Sequence, residues 1–371
     1  MSMTEKQREV YRLHVDERLS LREIARRKGV NYGSIRNTYI AAKGYVDAPE
    51  GQKAAIETAG LDINSAKHGW RVIRHEDGSR DSVFWKSEQT PDDIGERIKA
   101  VLEDIKPAPP VTAPTHRASD LLTVYPIADA HIGMRAWGKE AGEDYDTDIA
   151  TKRLQNWIGQ AIAASPPSET AIIVDIGDLT HADDQDNQTK RGKHILDVDT
   201  RFFRTLDETI ETLVIATHAA LQKHKKVIVR ILPGNHNPTA YMAILFGLAG
   251  RYRDEPRVDV QKAPGEFFAH RFGVNMICAH HGDKAKAERL VLMMADDFPE
   301  MWGTTRHRFI FTGHLHHHKS ADIGGAKWEQ LRAVSARDAY ATSHAYASRA
   351  QLNAITYHKE KGEVGRVSVN S

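Results

Sequence analysis

Cysteine is nearly absent from this sequence of 371 residues, in which Cys278 is the single example. One cysteine excludes an intramolecular disulfide and any zinc module built on several thiolates. It also fits a reducing compartment, so we expect a cytoplasmic protein. The sequence lacks an apolar run of membrane-spanning length and a signal peptide, which argues against secretion and against a membrane partner.

Net charge is also nearly absent, since 51 lysine and arginine residues face 50 aspartate and glutamate residues. The balance is uneven along the chain, because residues 1–46 contain ten basic residues and five acidic ones. A local excess of positive charge favours a polyanionic partner. With 40% hydrophobic residues, the chain has enough apolar side chains for a sizeable globular core.

The basic N-terminal segment has the pattern of a helix-turn-helix domain. Two capping boxes, Thr4 with Gln7 and Ser20 with Glu23, predict two helix starts. Gly29 interrupts the second helix, and apolar residues at helical spacing resume after it. We therefore predict a small DNA-binding domain over this segment, with an ordinary helical domain carrying solvated charges as the alternative.

In such a domain, exposed side chains of the last helix reach base edges or phosphates, and neighbouring basic residues contact the DNA backbone. Proteins of this kind often dimerise on two half-sites, which favours a homodimer. The expected DNA contacts are Arg26, Arg27, Lys28, Asn31, Tyr32, Ser34, Arg36 and Asn37.

Three further segments follow. Residues 47–106 predict a small α+β or wing-like segment, with two strands around an Asp77-Gly78 turn and a helix over 94–105. Residues 107–119 are rich in proline, which indicates a linker. Residues 120–371 alternate strand-like and helical stretches, the pattern of a layered α/β domain.

Five short polar motifs occur in this last domain, each at or just after an apolar run that predicts a buried strand. The runs are residues 121–127, 171–176, 227–232, 274–279 and 309–311. The motifs are Asp129-Ala130-His131, Gly177-Asp178, Gly234-Asn235-His236, His280-His281-Gly282 and Gly313-His314-Leu315-His316.

Side chains that are distant in sequence can converge here, because the carboxyl ends of strands meet at one edge of an α/β sheet. Carboxylates and imidazoles together suit divalent metal ions. Two such ions close together favour the hydrolysis of phosphate esters, since they neutralise charge and activate water. The pattern therefore predicts a two-metal phosphoesterase site.

The five motifs resemble, in order, those of the calcineurin-like metallophosphoesterase superfamily, over about residues 120–318. The resemblance implies a layered α/β/β/α metallophosphoesterase sandwich beside the small N-terminal helical DNA-binding domain. It also implies which side chains bind metal. The first ion would be held by Asp129, His131, Asp178 and His316, and the second by Asp178, Asn235, His281 and His314.

The resemblance gives Asp178 the role of bridging ligand, and it makes His236 the unliganded catalytic histidine. His280 and His281 compete for one ligand position, and His281 is chosen because it directly precedes a glycine. Asn237 stands where family members often have an acid that orients the catalytic histidine. Manganese is the favoured ion from the resemblance, with iron, zinc and magnesium as alternatives.

The N-terminal segment favours DNA as the substrate, because a DNA-binding domain raises the local concentration of DNA phosphodiesters. We therefore expect a nuclease that uses a metal-activated water, similar in its motifs to the nuclease subunits of double-strand-break repair complexes. A partner ATPase is not visible in these residues. One alternative is a small-molecule phosphomonoesterase or cyclic-nucleotide phosphodiesterase. Another is a DNA-binding regulator with a catalytically silent phosphoesterase domain.

Overall fold

The computed structural model describes residues 3–47, 68–74, 80–86, 106–115, 118–344 and 347–371. The chain divides into two compact units, Met1–Ile98 and Lys99–Ser371. The finer domain boundaries stated above stay predictions, and the helix expected over residues 94–105 lies outside the described residues.

The N-terminal unit begins with three helices, α1 (Glu5–Val15), α2 (Leu21–Lys28) and α3 (Tyr32–Asp47). At the start of α1, Thr4 Oγ1 accepts from the Gln7 amide at 3.2 Å, and the Thr4 amide donates to Gln7 Oε1 at 2.8 Å. Gly29 ends α2 with a φ of 63°, a left-handed conformation that costs glycine little. The helices enclose a small core of Val10, Ile24, Ala25 and Ile35. The predicted helix-turn-helix-like region is confirmed.

Two strands follow in the same unit, β1 (His68–Arg74) and β2 (Arg80–Lys86). They pair in antiparallel fashion, with Trp70 opposite Phe84. The predicted pair of strands is confirmed, while the turn at Asp77-Gly78 lies outside the described residues.

The second unit alternates strands and helices. The strands are β3 (Ala118–Ile127), β4 (Ser168–Asp175), β5 (Lys226–Ile231), β6 (Val258–Val260), β7 (Phe268–Phe272), β8 (Asn275–Ala279), β9 (His307–Thr312), β10 (Lys319–Ile323), β11 (Ala326–Gln330), β12 (Gln351–His358) and β13 (Gly362–Asn370). The helices are α4 (Gly138–Ala141), α5 (Thr147–Ala164), α6 (Phe202–Lys223), α7 (Ala240–Arg251), α8 (Ala287–Asp297), α9 (Pro299–Thr304) and α10 (Ala339–Ser343).

These strands form two sheets. The first has six strands in the order β13-β12-β3-β4-β5-β6, and the second has five in the order β10-β11-β9-β8-β7. β3, β4, β5 and β6 run parallel to one another, as do β8, β9 and β11 in the second sheet, while β12, β13, β7 and β10 pair in antiparallel fashion. Parallel strands that run side by side bring their carboxyl ends to one edge, which is where ligands bind in such sheets.

Three apolar layers hold the unit together. Helices α5, α6 and α7 cover the outer face of the six-stranded sheet, where Leu154 and Ile173 belong to one cluster. The inner faces of the two sheets meet around Val174 and Phe311. On the far side, α8 packs on the five-stranded sheet through Met294. This order of layers confirms the predicted α/β/β/α sandwich. Within the described part of the chain, no helix has the length and apolar character needed to cross a membrane.

Candidate metal centre

The five polar motifs lie at the carboxyl ends of five strands. β3, β4 and β5 are neighbours in the first sheet, and β8 and β9 are neighbours in the second. The two sheets face each other, so the loops that follow these strands meet at one edge of the sandwich. The residues that these loops contribute are Asp129, His131, Asp178, Asn235, His236, His281, His314 and His316.

The backbone at this edge is unusual. In the described part of the chain, eight non-glycine residues have a positive φ, and five of them are predicted metal ligands. Their φ angles are 50° at Asp129, 45° at His131, 56° at Asp178, 70° at His314 and 57° at His316. Left-handed backbone costs a non-glycine residue about 1–3 kcal/mol, and such residues concentrate at functional sites. The surrounding fold therefore stabilises these loops in a shape they would not adopt alone.

One group of potential ligands contains Asp129, His131 and His316, whose ligand atoms all lie within 4.8 Å of one another. His131 Nε2 lies 3.2 Å from His316 Nε2, and His316 Nε2 lies 3.4 Å from Asp129 Oδ1. Both Asp129 and His131 are buried. Burial lowers the pKa of His316, but Asp129 outweighs it and raises that pKa. The Asp129 carboxylate therefore favours positive charge on its neighbour His316.

A second group contains Asp178, His281 and His314, again within 4.8 Å. His281 Nδ1 donates to the Ile176 carbonyl oxygen at 2.9 Å, which points Nε2 toward Asp178 Oδ2 at 3.1 Å and Asn235 Oδ1 at 3.0 Å. Burial lowers the pKa of His281, but the Asp178 carboxylate outweighs it and raises that pKa to about 10.

When His281 is neutral, its Nε2 presents a lone pair to two oxygen acceptors. Three converging acceptors repel one another unless a proton or a cation lies between them. Metal ligands must be deprotonated, so a divalent cation here would displace the proton that Asp178 stabilises on His281. The carbonyl that fixes Nδ1 is the kind of outer contact that orients metal-binding imidazoles. The donor set of both groups, carboxylate oxygens with imidazole nitrogens, suits divalent ions such as Mn²⁺, Fe²⁺ and Zn²⁺.

The two candidates in the fourth motif point to different places. His280 Nδ1 accepts from the Gly282 amide at 2.9 Å, and its ring centroid lies 6.2 Å from that of Phe267. His281 instead faces Asp178 and Asn235. The geometry therefore favours His281 as the ligand of this motif.

His236 lies beside both groups. Its amide donates to Asp178 Oδ1 at 2.8 Å, and its Nδ1 donates to the His181 carbonyl oxygen at 2.8 Å. Its ring centroid lies 4.7 Å from that of His131. Because Nδ1 is occupied, Nε2 is the ring nitrogen of His236 that remains available to another group.

His181 lies at the site although none of the five motifs includes it. It is buried, its ring stacks on that of His236 with centroids 5.0 Å apart, and its Nδ1 lies 3.1 Å from His131 Nδ1. His131, His181 and His236 form a third group whose ring nitrogens lie within 4.8 Å. The signal that was available is its position three residues after Asp178, on the same loop.

Asn237 connects two of the motif loops. Its buried side chain accepts, through Oδ1, from the amides of Asp178 at 3.1 Å and Gly234 at 2.9 Å. It therefore ties the second motif loop to the third, while the backbone carbonyl of His181 orients His236.

The residues expected to contact DNA all lie on α2, on α3 and in the turn between them. Two of the basic residues have acidic partners, Arg27 with Glu23 at 3.3 Å and Lys28 with Glu9 at 2.5 Å. Arg26 is exposed. Exposed basic side chains of this kind are able to reach phosphates.

Some of the other expected contacts are already used within the domain. Asn31 Oδ1 accepts from the Ser34 amide at 2.7 Å and so caps α3. The guanidinium of Arg22 lies 5.7 Å above the ring of Tyr32. Arg36 is half-buried and Asn37 is exposed. The role of these residues in DNA binding stays a prediction.

Comparison with known proteins gives one match to a family model, in which residues 1–43 match Sigma-70, region 4. No curated protein sequence matches the chain.

Several solved structures are similar to the chain. A conserved uncharacterized protein from Streptococcus pneumoniae TIGR4, described as a predicted phosphoesterase, is 9% identical, with 68% of this chain and 100% of that chain covered and a TM-score of 0.29. A novel archaeal phosphodiesterase is 10% identical, with 67% and 99% covered and a TM-score of 0.33. Vps29 from Entamoeba histolytica, complexed with zinc, is 12% identical, with 67% and 98% covered and a TM-score of 0.27. Similarity this low assigns no function, so the interpretation of the metal centre depends on its own geometry.

Proposed function

We propose that this protein is a two-metal phosphodiesterase that hydrolyses DNA. The observation that carries the proposal is the convergence of seven carboxylate, imidazole and amide side chains from five strand ends. Six of them form two groups whose ligand atoms lie within 4.8 Å of one another, and the Oδ1 of the seventh, Asn235, lies 3.0 Å from His281 Nε2. In the proposed centre the first ion is held by Asp129, His131, Asp178 and His316, and the second by Asp178, Asn235, His281 and His314.

When bound, two divalent ions, manganese in our proposal, would neutralise the phosphate charge and lower the pKa of an attacking water. The protein contributes the rest. Asp178 lies between the groups, with its backbone carbonyl accepting from the His131 amide at 3.0 Å and its carboxylate beside His281. His236, oriented by the His181 carbonyl, donates the proton that the leaving oxygen needs.

DNA is the proposed substrate because of the N-terminal unit. Its three helices, the match to Sigma-70, region 4, and the basic charge of residues 1–46 support binding to a nucleic acid backbone. A DNA-binding region on the same chain raises the concentration of phosphodiesters near the metal centre. A homodimer and a cytoplasmic location belong to the same proposal.

The test replaces the proposed bridging carboxylate with its neutral isostere, Asp178→Asn. Even residues that only support a metal ligand contribute about 10- to 100-fold to affinity or activity. We therefore expect Asp178→Asn to lose at least about a hundredfold in Mn²⁺-dependent cleavage of end-labelled DNA and of bis-p-nitrophenyl phosphate. The matched control is Asp207→Asn, on the exposed face of α6, which should cleave both like the wild type.

Other outcomes would change the conclusion. Full activity of Asp178→Asn would contradict the two-metal centre. Turnover of the model diester without cleavage of single- or double-stranded DNA would indicate an enzyme for small esters. No turnover with manganese, iron, zinc or magnesium would indicate a catalytically silent DNA-binding protein.

A further inference from the structure

A polar cavity of about 240 Å³ opens at the side of the sandwich, between β11 and the paired strands β12 and β13. Its wall includes His318, Glu329, Arg332, Asn353 and Arg366. None of these residues belongs to the five motifs. The mixture of cations, one carboxylate and an amide suits a charged ligand better than an apolar one.

The cavity adjoins the candidate metal centre. Three residues after Arg332, the Ser335 amide donates to the Asp129 carbonyl oxygen at 3.2 Å. On the other side, His318 follows His316 by two positions. Two loops therefore connect the cavity wall to the first group of ligands, one through His316 and His318 and the other through Arg332 and Ser335.

The charge of Arg366 is already neutralised. Its guanidinium forms two parallel hydrogen bonds to the Glu329 carboxylate, one of them 2.8 Å long, and its Nε donates to Glu363 at 3.0 Å. His318 Nε2 lies 3.3 Å from the same Glu329 carboxylate. These residues form a rigid wall, and they leave no free cation at this side of the cavity among the described residues.

Arg332 differs from Arg366. It has no hydrogen bond or ion pair to any residue in the described part of the chain, and its Nε is buried without a partner. Leaving a buried donor unsatisfied costs about 1–3 kcal/mol, more for a charged group. A guanidinium binds phosphate through two parallel N–H···O bonds, which would satisfy Arg332.

We propose that Arg332 binds a second phosphate of the substrate, adjacent to the phosphodiester that lies at the metal centre. This inference rests on the proposed function, because a DNA strand presents a phosphate on each side of the bond that is cut. An ester with a single phosphate leaves Arg332 without a ligand. The residue therefore selects polynucleotides over small diesters.

The test compares the binding of thymidine 3′,5′-bisphosphate and thymidine 5′-monophosphate to the full-length protein, by calorimetry with Mn²⁺. We expect the wild type to bind the bisphosphate at least about tenfold more tightly, since hydrogen bonds to charged groups are the stronger class. Arg332→Gln should bind both with equal affinity. Arg332→Lys should keep part of the preference, because it retains the charge but loses the paired donors.

The matched control is Arg306→Gln. This exposed arginine directly precedes β9, so it lies at the amino-terminal end of that strand, whereas the metal motifs follow the carboxyl ends. It should keep the full preference. Equal affinities in the wild type, or an unchanged preference in Arg332→Gln, would overturn the phosphate site. Cleavage of DNA is measured separately. A preference that depends on Arg332, without DNA cleavage by the wild type, would overturn the proposed nuclease and support the phosphate site. DNA cleavage by a wild type that binds both nucleotides with equal affinity would support the nuclease and overturn the phosphate site.

Discussion

Single residues at the candidate metal centre are packed so closely that two glycines leave no room for a side chain. A Cβ on Gly234 would overlap Asp178 Oδ1 and lie 2.5 Å from the Asp178 amide nitrogen. A Cβ on Gly313 would lie 2.5 Å from Asp129 Oδ2. Non-bonded atoms do not approach so closely, so an alanine at either position must displace a carboxylate.

We predict that Gly234→Ala lowers both Mn²⁺ affinity and phosphodiester hydrolysis by more than about tenfold, because the displaced Asp178 no longer meets His281. Calorimetric titration with Mn²⁺ measures the first effect. The matched control is Gly159→Ala within α5, where an added Cβ meets nothing within 4 Å. It should leave Mn²⁺ affinity unchanged and stabilise the helix by about 0.5–1 kcal/mol. Wild-type Mn²⁺ affinity in Gly234→Ala would argue against Asp178 as a ligand.

At the scale of helices and strands, the central strands could be predicted well. The apolar run at 171–176 became β4 (Ser168–Asp175), and the run at 227–232 became β5 (Lys226–Ile231). Strands buried on both faces are apolar at nearly every position, which makes them visible in sequence. The metal motifs follow the carboxyl ends of these strands, and such ends lie at one edge of a sheet. Predicting the strands therefore predicted where the candidate site lies.

Two features of the structure had no such signal in the sequence, one a contact made by the backbone and the other a choice between two side chains. His181 orients His236 with a carbonyl oxygen, a group that every residue has. The free guanidinium of Arg332 depends on which of two arginines pairs with Glu329, and that choice is made by the contact between β11 and β13, which belong to different sheets. Such features are set by tertiary structure, and a single sequence does not show them.

The end of helix α6 gives a prediction about pH. His224 is buried there, where its Nδ1 donates to the Ser168 carbonyl oxygen at 3.0 Å and its Nε2 accepts from the Tyr125 hydroxyl at 2.8 Å. Burial lowers the pKa of His224 to about 4. In the unfolded chain the pKa of this histidine is about 6.5, so between the two values the unfolded state binds a proton that the native state does not bind.

Stability should therefore fall as pH decreases from about 6.5 toward 4, by up to about 3 kcal/mol from this residue. Urea unfolding at pH 7.5, 6 and 5 measures it in the wild type and in His224→Gln, which cannot titrate. We expect the difference in unfolding free energy between the two proteins to shrink at low pH. A constant difference would mean that His224 titrates normally in the folded protein.

At the scale of the whole molecule, the proposed DNA recognition and the proposed chemistry lie in separate units. The metal motifs all belong to Lys99–Ser371, whereas the expected DNA contacts belong to Met1–Ile98. We therefore expect that substitutions in the first unit weaken DNA binding without lowering the rate of phosphodiester hydrolysis. Binding of a phosphate polymer depends on salt, because each neutralised phosphate releases counterions.

The double variant Arg26→Gln/Arg27→Gln in the full-length chain tests this separation, since both side chains are exposed on α2. We expect weaker DNA binding and a smaller salt slope, which is the change of log K with log salt. The slope should fall by about one for each phosphate that the variant no longer neutralises. Hydrolysis of bis-p-nitrophenyl phosphate should stay at the wild-type rate.

The matched control replaces Lys6 and Arg8, exposed on α1, with glutamine. An equal loss of affinity in both double variants would mean that net charge alone attracts DNA, and an unchanged slope in the first would place the DNA-binding surface elsewhere.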